Sequence, residues 1–281
     1  MIKTDKLNFL TAGIPLSTQR NTGYNGAFEV LTDMGLDGLE VEFVHGVRMS
    51  DETRQLLKKA SAEQGFLFTS HGPFYINLNS KEEEKVDASV QRIVETAQAA
   101  HDFGGYSITY HAAFYMGGEK ETVYQQVKTQ TQKIVEILKQ NKIDDVWIRP
   151  ETTGKSTQWG DYEEIIRLSK EFEQVLPCVD FSHVHARTGG EYNTYDEFCR
   201  ILDRISTELG QKAIDNFHAH LAGIEYTAKG EKRHLILKDS DMNYQDLLKA
   251  MKSFGVKGAL VCESPNIETD TKILRDFYYS L

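Results

Sequence analysis

Residues 106–111, Tyr106-Ser107-Ile108-Thr109-Tyr110-His111, follow a stretch at 81–103 whose apolar residues recur at spacings of three and four. A short apolar run of β-branched and aromatic residues behind an amphipathic helical pattern reads as a buried parallel strand of a βα unit. The unit recurs on both sides. Apolar runs lie at 8–13, 38–44, 66–71, 146–151, 175–181, 214–221 and 258–263, with helical patterns between them, among them 122–140, 244–254 and 270–279. Eight strands alternating with eight helices imply a parallel sheet covered by helices. The near-even spacing favours closure into an α/β (β/α)8 TIM barrel, and no GxGxxG follows the first run to favour an open doubly wound sheet. The 281 residues suit one barrel of roughly 250 residues, and no linker or low-complexity tract divides them, so 1–281 is expected to be a single TIM-barrel domain.

Composition narrows the function. Hydrophobic residues at 40% and charged residues at 26% suit a soluble chain with a full core. No apolar run approaches the roughly 20 residues of a membrane span, and residues 1–6 carry no secretory apolar region. Cys178, Cys199 and Cys262 are odd in number and widely spaced, which predicts free thiols, a cytoplasmic protein and no thiolate zinc site. The net charge of −10 argues against a passive nucleic-acid binder, although a local patch or buried metal ligands would change that reading. A monomer is expected.

The strand ends carry the chemistry. His71 ends the third run, His111 the fourth and Glu151 the fifth; Asp180 ends the sixth, with His183 three residues on. His218 and His220 close the seventh and Glu263 the eighth. In a closed barrel these side chains ring one mouth, where barrel enzymes hold their catalytic groups. A single polar strand end means little, but carboxylates crowded at one mouth repel unless cations join them. His plus carboxylate without thiolate suits Zn2+ or Mn2+, and several carboxylates able to bridge allow two or more ions. His185 reads either as a donor to a ligand or as a loop residue.

In order along the chain, seven segments match a known pattern. They are Ser70-His71-Gly72-Pro73-Phe74-Tyr75-Ile76-Asn77-Leu78, Tyr110-His111, Pro150-Glu151-Thr152-Thr153-Gly154, Cys178-Val179-Asp180-Phe181-Ser182-His183, Phe217-His218-Ala219-His220, Gly230-Glu231-Lys232-Arg233-His234-Leu235 and Cys262-Glu263-Ser264-Pro265. Together they resemble the endonuclease IV family, the apurinic/apyrimidinic (AP) endonucleases of base-excision repair, within the broader xylose-isomerase-like barrels. The resemblance implies a TIM barrel with a multinuclear zinc centre of two to three ions. His71, His111 and Glu151 would hold the first; Glu151 would bridge to a second completed by Asp180, His218 and Glu263. Glu151 and Glu263 would be catalytic. His183 and His234 match ligands of a third ion, but the position of its remaining carboxylate is Lys232. Neighbouring Glu231 or water would have to replace it, or the third site would be weak or empty; the Lys232 cation would offset part of the lost charge. By register with the family's motif His218 is the ligand, and His220 a substrate contact or substitute ligand.

Phe74 and Tyr75 match a loop that enters the minor groove, and Arg48 is a looser match to another groove-entering residue; the aromatic pair would alternatively pack onto the barrel top. The implied partner is DNA containing abasic sites, and the implied reaction is hydrolysis of the phosphodiester 5′ to such a site. The alternative is a metal-dependent sugar isomerase or epimerase on the same barrel, which would hold one or two ions and move a proton or hydride.

Overall fold

The computed structural model describes residues 4–281; residues 1–3, part of the N-terminal stretch read for a leader, lie outside the described residues. Eight parallel strands form the sheet: β1 (Leu7–Ala12), β2 (Gly38–Glu42), β3 (Leu67–His71), β4 (Ser107–Tyr110), β5 (Trp147–Pro150), β6 (Val179–Asp180), β7 (Phe217–Leu221) and β8 (Gly258–Cys262). Their order is β5-β4-β3-β2-β1-β8-β7-β6, the cyclic order of a TIM barrel. Closure between β5 and β6 runs through the segment before β6. Leu176 N donates to Ile148 O at 3.2 Å, Cys178 N to Pro150 O at 3.1 Å and Thr152 N to Cys178 O at 3.1 Å. The expected continuous strand at 175–181 is therefore broken. Pro177 removes one ladder donor, and Phe181 already opens the next helix.

Helices cover the outside as the periodicity requires. Phe28, Ile93, Val127 and Ile134 on the helices Gly23–Met34, Glu83–Phe103 and Lys120–Gln140 pack with Leu39, Phe68, Ile108 and Ile148 of the strands. Phe198 and Ile201 on the helix Tyr195–Leu209 and Leu247 on the helix Tyr244–Ser253 do the same for Val179, Ala219 and Leu260. The expected run at 214–221 starts later, at Phe217, because Ile214 belongs to the short helix Gln211–Asp215. Two smaller sheets stand outside the barrel: an antiparallel hairpin, Gly223–Thr227 with Gly230–Leu235, and the pair Ala113–Phe114 with Gln158–Trp159.

The barrel interior departs from the usual Val, Ile and Leu filling. Thr11, Glu40, Thr69, Ser107, Thr109 and His218 are buried polar groups on the strands. Ser107 Oγ lies 2.8 Å from His218 Nδ1, and Glu40 Oε2 lies 3.3 Å from His218 Nε2. Strands β4 and β7, and β2 and β7, are not neighbours in the sheet, so these contacts cross the inside of the barrel.

Candidate metal centre

Each strand end delivers its side chain to one mouth. Glu151, one residue past β5, is the hub. His71 Nε2 lies 3.1 Å from its Oε2, while His111 Nε2, His183 Nδ1 and His220 Nδ1 lie 3.3, 3.3 and 3.4 Å from its Oε1. Asp180 has two tasks. Its Oδ1 accepts from His183 N at 2.8 Å and so caps the helix Phe181–Arg187, which explains both the helix start at Phe181 and the three-residue spacing to His183. Its Oδ2 is buried without a hydrogen-bond partner and faces the centre.

Three overlapping ligand groups result, each with donor atoms within 4.8 Å of one another: His71, His111 and Glu151; Glu151, Asp180, His220 and Glu263; and Asp180, His183 and His234. The donor atoms fit cations rather than each other. His111 Nε2, Glu151 Oε1, Asp180 Oδ2, His220 Nδ1, His234 Nε2 and Glu263 Oε2 are all buried and without a hydrogen-bond partner. Such orphaned groups are costly unless something binds them. Backbone carbonyls aim three of the imidazoles: Nδ1 of His71 meets Gly72 O at 2.8 Å, that of His183 meets Thr152 O at 2.9 Å, and that of His234 meets Glu263 O at 3.3 Å. In each the Nε2 edge is left for the centre.

Without a cation, charges within the cluster compensate one another. Burial opposes ionisation of Glu151, but the imidazoles of His111 and His220 outweigh it and hold its carboxyl well below the usual range. Burial is likewise outweighed at Glu263, held at about 2 chiefly by His220. Burial also disfavours the charged forms of His71 and His183, yet Glu151 raises the former to about 10 and Asp180 with Glu151 raises the latter to about 10. These are proton-filled ligand positions.

Two expectations require correction. His218 does not join the mouth; His220 takes that place. Asp180 of β6 is level with His220 in the sheet register, which leaves His218 one pleat lower, between Ser107 and Glu40. Nor is Lys232 a cation beside the cluster. It turns outward and pairs with Glu225 at 2.5 Å. A β-bulge is the reason. In the hairpin Arg233 pairs with Glu225 but Glu231 pairs with Tyr226, so Lys232 is the extra residue. The bulge brings Glu231 and His234, three apart, onto one face. Glu231 Oε2 lies 3.6 Å from His183 Nε2, where it can complete the third group.

The glycine at Gly154 makes room for this. A Cβ there would lie 2.6 Å from Glu231 Cβ and 2.7 Å from Glu231 Oε2. Gly154→Ala is therefore expected to push Glu231 aside and weaken one metal position about 10-fold or more while sparing the other two; zinc titration against a chromophoric chelator reads this directly.

His185 stays outside the centre. It is buried, with Nδ1 2.9 Å from Glu191 O and Nε2 3.2 Å from Asp241 Oδ1, and its ring packs edge-on against Tyr226. It braces the hairpin that carries Glu231 and His234. Phe74 and Tyr75 do not pack onto the barrel top: they are 69% and 60% exposed. Arg48 is also exposed, in the loop after β2. Ile14, Leu16, Val44, Phe114 and Met116 join the aromatic pair in an exposed apolar arc on the loops after β1–β4.

The sequence reading missed two carboxylates. Glu40 lies within β2 and faces His218 and His220 inside the barrel. Glu42 ends the same strand, open to water yet crowded by protein, and enclosure together with the charge of Glu40 pushes it up to about 8. A fourth group, Cys178, His218 and His220, lies inside the barrel. Burial pushes the Cys178 thiol up to about 12.

Comparison with known proteins is consistent with this architecture. The uncharacterized protein MJ0133 of Methanocaldococcus jannaschii is 42% identical over 275 residues, covering 98% of each chain. Among solved structures, a D-tagatose 3-epimerase-like protein superposes with a TM-score of 0.72 at 16% identity, over 96% of this chain and 97% of that one. Endonuclease IV from Thermus thermophilus superposes with a TM-score of 0.71 at 17% identity, over 96% and 100%. At such identities the two likenesses speak for the fold alone. The model of the xylose isomerase-like TIM barrel family matches residues 28–281, and the chain belongs to that family.

Proposed function

We propose that the chain is a metal-dependent phosphodiester hydrolase, an AP endonuclease that cuts DNA 5′ to abasic sites at a three-ion zinc centre. One observation carries this reading: the mouth holds three overlapping ligand groups joined by Glu151 and Asp180, more than one-metal chemistry needs. Bound divalent cations supply Lewis-acid charge for phosphoryl and leaving oxygens and lower the pKa of water. The chain's own residues do the rest. Glu151 and Asp180 are each shared by two groups and would hold neighbouring cations between them. Glu263, beside His220 at 3.4 Å, closes the middle position. Phe74 and Tyr75 offer exposed ring faces to bases beside the lesion, and Arg48 offers a cation to a phosphate. A missing base lowers the cost of opening the duplex there. The free thiols of Cys178, Cys199 and Cys262 support a cytoplasmic setting.

A second reading rests on the middle group. Glu151, Asp180, His220 and Glu263 form a four-ligand site by themselves, and a sugar epimerase could work with one ion there. The test is an end-labelled duplex with one tetrahydrofuran abasic analogue, incubated with zinc-loaded protein. Cleavage on the 5′ side, leaving a 3′-hydroxyl and abolished by chelator, is expected. An intact duplex alongside metal-dependent epimerisation of a ketose would overturn the nuclease.

A further inference from the structure

Of the five imidazoles in the three ligand groups at the mouth, His220 is set apart. His71, His183 and His234 each rest Nδ1 on a backbone carbonyl. His220 instead points Nδ1 at the mouth, 3.4 Å from both Glu151 Oε1 and Glu263 Oε1, and turns Nε2 down into the barrel. There it meets Glu40 Oε1 at 3.1 Å. Both residues are fully buried, and His220 Nε2 and Glu40 Oε1 face each other in ion-pair contact, with no hydrogen bond to any other group.

Glu40 is itself fixed from two sides. Thr69 Oγ1 donates to its Oε2 at 2.7 Å, and His218 Nε2 lies 3.3 Å from the same oxygen. His218 is anchored in turn by Ser107 Oγ at 2.8 Å from Nδ1. The chain Ser107–His218–Glu40–His220 thus spans β4, β7 and β2 and ends on the middle metal position. This buried carboxylate is held by one hydrogen bond, from Thr69, and by ion-pair contacts with the two imidazoles rather than by solvent.

We propose that Glu40 is a positioning residue for the middle metal: it takes the Nε2–H of His220, fixes that tautomer, and leaves the Nδ1 lone pair for the cation. A carboxylate behind a ligating imidazole also makes it a stronger donor, as backbone carbonyls do less strongly for His71, His183 and His234. The middle position therefore depends on a carboxylate that itself touches neither substrate nor metal. The inference rests on the metal-binding part of the proposed function and not on the identity of the substrate.

The test uses the full chain with zinc as the probe. Glu40→Gln keeps the volume but presents an amide that cannot accept from both imidazoles as the carboxylate does. Titration against a competing chelator should show one zinc equivalent weakened about 10- to 100-fold and the other two unchanged. A purely structural role for Glu40 would lower the melting temperature without singling out one equivalent. Unchanged affinity for all equivalents overturns the proposal. Should Glu40→Gln fail to fold, nitrogen NMR of imidazole-labelled native protein decides the matter. His220 protonated at Nε2 and shifted at Nδ1 on zinc addition supports the proposal; zinc on Nε2 overturns it. If native protein binds no zinc, the proposed function fails first, a distinguishable outcome.

Discussion

Glu151→Gln is expected to strip cations from two positions at once and to lower abasic-site cleavage by about a thousandfold or more, at least the scale seen on removing one preorganised charge-stabilising group. The reason is geometric. Glu151 contacts His71 through one oxygen and His111, His183 and His220 through the other, and it belongs to two of the three ligand groups. An amide at that place offers one neutral acceptor, and its N–H groups face imidazoles that are aimed at a cation. The loss should appear in metal content measured by plasma mass spectrometry and in kcat/KM on the abasic duplex, with circular dichroism showing the barrel retained. Cleavage within about tenfold of the native rate would mean that Glu151 does not bridge.

Metal removal should have the next largest effect, on stability. At free zinc a thousand times Kd each site contributes about 4 kcal/mol, so three sites together are worth on the order of 10 kcal/mol. At roughly 2–4 °C per kcal/mol, a chelated sample should melt some tens of degrees lower. The difference should also grow with pH. In metal-free protein the folded-state values of His71 and His183 are raised from 6.5 to about 10. Stability from a raised pKa is fully present below the ordinary value and is lost as pH climbs through the folded one. Metal-free protein should therefore weaken between about 7 and 10, while zinc, competing with those protons, binds more tightly. His218, lowered to about 4 chiefly by burial, is neutral in the folded protein across that window. Melting curves with and without chelator at several pH values check this; a constant gap would show that His71 and His183 release no protons to the metal.

Much of this was legible in the sequence because strand ends are where barrel chemistry collects. His71, His111, Glu151, Asp180, His183 and Glu263 come together as their places at or after the apolar runs require, while His234, read only from the resemblance, reaches them from the hairpin. His220 was not distinguishable from His218, because both point to the same side of β7. Their relative height is set by the stagger between strands, here Asp180 against His220, and no single strand encodes that. Glu231 was obscured by the bulge at Lys232, which changes the side-chain alternation without a glycine or proline to announce it. Glu40 was overlooked for a different reason. Gly38-Leu39-Glu40-Val41-Glu42 alternates like a half-solvated strand, yet in a closed barrel helices cover the outer face. Leu39 and Val41 take that face, so the alternating carboxylates turn inward, toward the mouth and beneath it.

The centre stands or falls on its cation count. Protein purified without chelator, saturated with zinc and freed of loosely held ions should carry three per chain by plasma mass spectrometry, one for each ligand group at the mouth. One per chain, held by Glu151, Asp180, His220 and Glu263 alone, would contradict the three-ion nuclease and leave the epimerase reading in its place.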